Sequence, residues 1–210
     1  MSTARQRPHV VAHVAVTLDG ATTGFSPDVG CFYRLAGSFA EDVTLAGADT
    51  ILAQEAALAA VPRPGPDADG PLLAVVDGRG RVREWAALRE VGHWSEVLAL
   101  HAEDTPPRPP GRGVDELVLG RGRVDLAAAL EALHRRGRSR VRVDSGGALV
   151  GALLAGGLLD EVSLLVHPLC AGAGGARWYG DLPGPAVPLT PVGHEDVGGG
   201  LLWLRYRVRG

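Results

Sequence analysis

RVRVDSGGALVGALLAG, residues Arg140–Gly156, decides how this chain is read. Alternating arginine and valine over Arg140–Val143 predict a β-strand. The apolar run from about Ala148 to Ala155 predicts a helix stopped by Gly156 and Gly157. A strand that turns directly into a helix is the building unit of a parallel α/β sheet. The turn also carries chemistry. A helix N-terminus offers unpaired N–H groups and partial positive charge, and both suit a phosphate. Gly146 and Gly147 let a ligand meet the backbone with no Cβ between them. By itself the turn reads equally well as a phosphate loop or as a tight βα connection. It is not a Rossmann fingerprint, because G-x-G-x-x-G occurs nowhere in the chain.

Working outward, the same alternation recurs. His9–Leu18 reads as a buried strand closed by Asp19 and Gly20, and Phe32–Ala46 as a helix with Phe32, Leu35, Phe39 and Val43 on one face. Thr50–Leu52 begins an apolar element that leads into the alanine-rich Gln54–Val61. Leu72–Val76, Ser95–Leu100, Glu116–Leu119 and Val162–Val166 are predicted strands. Asp125 is a predicted N-cap for a helix bearing Leu126, Ala129, Leu130 and Leu133, with Gly137 as its stop. Leu201–Val208 is a final alternating strand. Pro62–Pro71 and Thr105–Gly113 are loops, too short to be linkers. The expectation is one domain over residues 1–210, an α/β three-layer fold with a mostly parallel central sheet and one C-terminal antiparallel strand.

Composition removes several function classes. The 210 residues are 46% hydrophobic, enough for a sizeable core, and carry a net charge of −3 at a pI near 6.2. No basic stripe for nucleic acid is present. All 21 basic residues are arginine, so a P-loop lysine, a Schiff-base lysine and a lysine general base are unavailable. Cys31 and Cys170 stand alone and read as reduced structural thiols. Met1–Pro8 has no apolar signal region, and the longest apolar run, Ala148–Leu159, falls short of the ~20 residues that span a bilayer. A soluble, cytoplasmic protein without a membrane segment is expected.

Three further loops are candidates. Gly172 and Gly174 lie in a glycine loop after the Val162–Val166 strand, and Gly47, Ala48, Asp49 and Thr50 follow the Phe32–Ala46 segment. Loops at the carboxyl ends of strands are where α/β sheets bind ligands. Thr17, Asp19 and Gly20 set a hydroxyl and a carboxylate at the end of the first strand, where an Asp-Gly turn is the plainer explanation. His101 and Glu103 have the H-x-E spacing of zinc deaminases, but no P-C-x-x-C follows, so no metal site is expected. Arg79, Arg81 and Arg83 follow Leu72–Val76, either reading a cofactor 2′-phosphate or forming a solvated loop.

In order, Pro8–Gly20, Asp42–Ala53, Val143–Leu154, Leu158–Pro168 and Leu201–Val208 resemble the reductase domain of the riboflavin-biosynthesis deaminase–reductase family, which has a dihydrofolate-reductase-like fold. The resemblance implies NADPH as cofactor, held by Gly47, Ala48, Asp49 and Thr50, by Ser145, Gly146, Gly147, Ala148 and Leu149, and by Gly172 and Gly174. It implies hydride transfer to the ribosylamino C1′ of 5-amino-6-(5-phosphoribosylamino)uracil. Thr17 and Asp19 would act on this small-molecule substrate, with Gly20 binding it, in a homodimer lacking the family's zinc deaminase domain; Arg34 is a substrate-binding candidate as a replacement for positive charge that the family pattern has and this sequence lacks. The sequence departs from the family pattern at Ala21, where lysine is common, at Ser38, where arginine is common, and at Asp49, where glycine is common. The first two remove positive charge where a substrate phosphate would sit. They keep open a related reductase acting on a pterin or other small imine or carbonyl, and a catalytically silent NADPH-binding dimer.

Overall fold

The structure, a computed structural model, describes residues 6–107 and 113–209. In sequence order the elements are β1 (His9–Thr17), α1 (Val29–Ala36), a 3₁₀ turn (Gly37–Phe39), β2 (Val43–Gly47), α2 (Ala48–Ala60), β3 (Leu72–Val76), α3 (Trp85–Glu90), β4 (Glu96–His101), β5 (Asp115–Val118), α4 (Leu126–Arg135), β6 (Arg140–Val143), α5 (Gly147–Ala155), β7 (Glu161–His167), β8 (Leu189–Gly198) and β9 (Leu201–Val208). The expected strands and both expected later helices are present within a residue or two, and Asp125 caps α4 by accepting from the Ala128 N–H at 3.0 Å. The fold is α/β, mostly parallel, with its antiparallel pairing at the C-terminal end. Parts of Met1–Pro8 and Thr105–Gly113 lie outside the described residues. Among the described residues no helix is long and apolar enough to cross a membrane.

Two expectations are corrected. Phe32–Ala46 is not one helix: α1 ends at Ala36, Ala40 takes a left-handed φ of 46°, and Val43 opens β2. Val43 and Thr44 are β-branched and suit a strand. The antiparallel end of the sheet has two strands rather than one. β8 contains Pro191 and is almost wholly exposed, so it shows no inward stripe, and proline is tolerated there because an edge strand has one unpaired side. The short helix α3 also goes beyond the elements that the sequence pattern marks.

The protein divides into two compact units. One holds residues 41–141, with β2 to β5 parallel in the order β5-β4-β3-β2. Strands buried on both faces read as unbroken apolar runs, as LLAVV in β3 does. Its core joins Ile51 of α2, Leu73 and Val75 of β3, and Leu88 of α3 around Trp85, which is 0% exposed and donates its indole N–H to the Val82 carbonyl at 3.0 Å.

Residues 9–40 and 142–210 form the other unit, where β1 runs parallel to β7 and β7, β9 and β8 continue antiparallel. A hydrogen-bond relay runs through it. The Trp203 indole donates to Ser163 Oγ at 2.8 Å, Ser163 meets His13 Nδ1 at 2.9 Å, and His13 Nε2 meets the Phe32 carbonyl at 3.1 Å. With His13 only 1% exposed, this order assigns its proton to Nε2 and satisfies every polar atom in the relay. The relay fixes β1, β7, β9 and α1 to one another.

A carboxylate anchors a strand entry in each unit. Asp160, just before β7, accepts the Val10 N–H at 2.8 Å. Asp42, just before β2, accepts the Ser139 N–H at 2.8 Å, the Ser139 hydroxyl at 2.9 Å and the Arg140 N–H at 3.0 Å. Asp42→Ala is expected to lower unfolding free energy by about 2 kcal/mol, since three charge-assisted hydrogen bonds go at a partly solvated site. The urea midpoint should fall at unchanged slope, with Asp42→Asn losing less; a change under about 0.5 kcal/mol would mean that water replaces the anchor.

Candidate active site

At the carboxyl end of β1, Thr17 sits level with His167 of β7. The Thr17 hydroxyl donates to Asp19 and accepts the Ala21 N–H at 3.0 Å, while Gly20 turns at φ 81°. Asp19 in turn accepts the Ala171 N–H at 3.1 Å and the Gly172 N–H at 3.3 Å. Its hydrogen bond from Thr17, followed by that from Ala171, holds the carboxyl below its ordinary value. Asp19 is therefore an anion that ties the 170–172 loop to the end of β1. A carboxylate so stabilised accepts hydrogen bonds readily and gives up no proton near neutrality.

Ala21 is buried, and a Cβ at Gly175 would lie 2.4 Å from its own. Its backbone bridges Arg177, an exposed arginine outside the candidate set that the sequence suggests. Ser38 caps α1 by donating to the Leu35 carbonyl at 2.7 Å.

Helix α5 begins at Gly147 after Gly146, and its start has no capping hydrogen bond from a side group. The two glycines have different jobs. A Cβ at Gly147 would stand 2.1 Å from the Arg177 carbonyl oxygen, and one at Gly151 would stand 2.3 Å from that of Tyr179. Gly147 is thus the close approach of protein to protein. Around Gly146 nothing lies within 4 Å of an added Cβ, so the open cradle is there. Just before it, the Arg142 guanidinium, 5% exposed, donates to Asp144 at 2.9 Å. Tyr33 of α1, half-exposed, lies near both: partial burial and then the Asp144 charge raise its phenol above the ordinary value, with Arg142 opposing.

Also in this unit, Asp28, Cys31, Arg34, His167, Pro168 and Leu201 line an open cleft of about 700 Å³. His167 Nε2 accepts the Asp28 N–H at 3.0 Å, which puts its proton on Nδ1, toward the Val16 and Leu165 carbonyls. Asp28 caps α1 by accepting the Cys31 N–H at 2.8 Å, and Arg34 donates to Cys31 Sγ at 3.2 Å. His167 thus props the loop that bears Asp28. Of these lining residues the sequence marks only Arg34 as a binding candidate, because the cleft is built from segments distant in sequence.

In the unit of residues 41–141, β2 ends on Gly47 and α2 starts directly at Ala48, again without a capping side group. Asp49 and Thr50 fall in its first turn. The Asp49 carboxylate is turned to Arg81, 2.7 Å away. Among the described residues no group of three His, Cys, Asp or Glu is placed to hold a metal ion.

Each glycine predicts a different outcome. Gly147→Ala is expected to cost about 3 kcal/mol or more, or to prevent folding, because backbone blocks the new methyl on the far side. Gly146→Ala, whose methyl meets open space, should leave the melting temperature within a few degrees. Equal effects of the two on stability would refute the division.

Residues 8–203 match the RibD C-terminal domain family. The chain is 31% identical over 183 residues to the 2,5-diamino-6-ribosylamino-4(3H)-pyrimidinone 5′-phosphate reductase of Archaeoglobus fulgidus, an overlap of 79% of this chain and 83% of that protein. In three dimensions it is similar to the riboflavin biosynthesis reductase of Saccharomyces cerevisiae, with a TM-score of 0.73 at 18% identity over 97% of this chain and 90% of that one. The fold extends to dihydrofolate reductase from Enterococcus faecalis, with a TM-score of 0.55 at 8% identity over 96% and 97% of the two chains. The match over residues 8–203, with the A. fulgidus reductase beside it, places this chain in the RibD C-terminal domain family.

Proposed function

We propose that residues 1–210 act as one reductase domain that transfers hydride from NADPH to C1′ of a ribosylaminopyrimidine phosphate. The observation that carries the reading is the likeness to a reductase named for that substrate class, along four-fifths of both chains.

The residues present fit a dinucleotide. Gly146 leaves open space at the uncapped N-terminus of α5, where amide N–H groups and helix dipole favour phosphate. Ser145, Gly146, Ala148 and Leu149 would hold it there; in the other unit, Gly47, Ala48 and Thr50 at the uncapped start of α2 would form a phosphate loop of the same kind. NADPH, when bound, supplies the hydride. The protein supplies position and field. Asp19, already anionic, ties the Ala171 and Gly172 amides to the end of β1 and would offer acceptor oxygens to the substrate's hydroxyl or amino groups, with Gly174 two residues further along the same loop. Arg34, exposed in the cleft, is assigned to the substrate phosphate, replacing charge absent at Ala21 and Ser38. Reduction of the ring-opened sugar's imine to a ribitylamine needs one hydride at C1′ and one proton at nitrogen; an anionic Asp19 cannot supply the proton, so solvent water would. A homodimer of the intact protein in the cytoplasm is part of the same proposal.

The test is oxidation of NADPH, followed by nicotinamide absorbance, with two substrates differing at pyrimidine C2. They are the 2-amino compound named for the A. fulgidus enzyme and 5-amino-6-(5-phosphoribosylamino)uracil. Turnover of either supports the reading, whereas reduction of dihydrofolate alone would replace it with the pterin reductase. Arg34→Ala is expected to raise KM for the phosphorylated substrate about tenfold or more while kcat changes less, as loss of a ground-state phosphate contact should. An unchanged KM removes Arg34 from the substrate site.

A further inference from the structure

The Asp49–Arg81 pair lies at the first turn of α2, which begins directly at Ala48 with no capping side group. Arg81 is presented there from a rigid loop. Asp77, 1% exposed, accepts the Arg81 N–H and the Val82 N–H, each at 2.9 Å, and Gly80 turns at φ 61°. The guanidinium then reaches Asp49 at 2.7 Å. Its neighbours are otherwise engaged: Arg83 donates to the Gly80 carbonyl at 2.7 Å, and Glu55 accepts the Arg83 N–H at 3.0 Å. Arg81 is thus fixed in place by its backbone while its charge is held by a single exposed acid.

A doubly charged phosphate at this loop meets two opposing groups. Arg81 attracts it, and Asp49 both repels it and occupies the same guanidinium. Asp49 is 75% exposed in its side chain, so the pair is weak by itself and open to competition. The 3′- and 2′-hydroxyls of an unphosphorylated ribose suffer no such repulsion, and a carboxylate accepts hydrogen bonds from them. Given the nicotinamide-reductase reading, on which this rests, we propose that the Asp49–Arg81 pair sets nucleotide selectivity. Asp49 holds Arg81 from the 2′-phosphate, and the protein separates NADPH from NADH only weakly.

Dissociation constants of the full-length protein for NADPH and NADH by fluorescence titration, and for 2′,5′-ADP by calorimetry, test this without any substrate. Asp49→Asn is expected to tighten NADPH and 2′,5′-ADP about three- to tenfold and leave NADH within twofold. Adding Arg81→Gln should abolish the gain, and the gain should shrink as salt is raised. Asp49→Ser, which keeps a helix-favouring side chain near the N-terminus, serves if the asparagine variant melts early. An NADPH-to-NADH ratio within twofold of wild type in both variants overturns the proposal. So does weaker NADPH binding, which would make Asp49 a support of the helix terminus alone. Binding of neither dinucleotide to the wild-type protein overturns the reductase reading together with it, while binding at an unchanged ratio overturns the selectivity device alone.

Discussion

Helix α5 lies against the backbone of Arg177 to Gly180 at a distance that no side chain permits. A Cβ on Gly147 or Gly151 would sit 2.1 or 2.3 Å from a carbonyl oxygen, well inside van der Waals contact. Because interiors are close-packed, that contact fixes where the segment after β7 can run. The same segment pairs Arg177 with Ala21, gives the Ala171 and Gly172 amides to Asp19, and lays Gly175 over Ala21. The end of β1, with Thr17 and Asp19, therefore takes its shape from two missing methyl groups on a helix far along the sequence.

Aspartates recur as receivers of backbone N–H groups. Asp42 and Asp160 do this before strands, Asp77 inside the loop after β3, and Asp28 and Asp125 at helix starts. Each satisfies amides that the regular ladders leave open, which buried backbone requires. Asp19 belongs to this group by geometry: its two oxygens go to a hydroxyl and two amides. A sequence shows only an acid next to a glycine at such a place, and a proton donor and a loop anchor look alike there. The distinction needs the 171–172 amides, which arrive from far along the sequence.

Legibility follows the same line. Strands β3, β6 and β7 and helices α4 and α5 are readable because their pattern is local: apolar runs between glycines, or an N-cap followed by a stripe. The Phe32–Ala46 segment misleads because Phe39 and Val43 continue the helical spacing by chance, while the left-handed backbone at Ala40 ends the helical run and Asp42 is committed to the Ser139 and Arg140 amides. Strand β8 escapes notice because an exposed edge has no inward face to betray it. At the candidate site, the sequence shows two adjacent glycines before a helix but not their division of labour. Only the surroundings of Gly146 and Gly147 separate open cradle from packing contact.

A protein without lysine must supply every fixed positive charge on its side chains with guanidinium groups. That changes more than identity, since a guanidinium is planar, permanently charged and able to bind two partners at once. Arg142 uses this to hold Asp144 while 5% exposed, and Arg81 to meet Asp49. Arg34 instead sets its charge in an open cleft with a thiol as its contact. A thiol is a weak acceptor, so Arg34 surrenders little by turning to a phosphate, whereas Arg142 would strand a partly buried carboxylate if it moved. Partner strength thus sorts the arginines into structural and available ones. By that measure Arg34, held only by a weak acceptor, is the readiest anion receptor in its cleft.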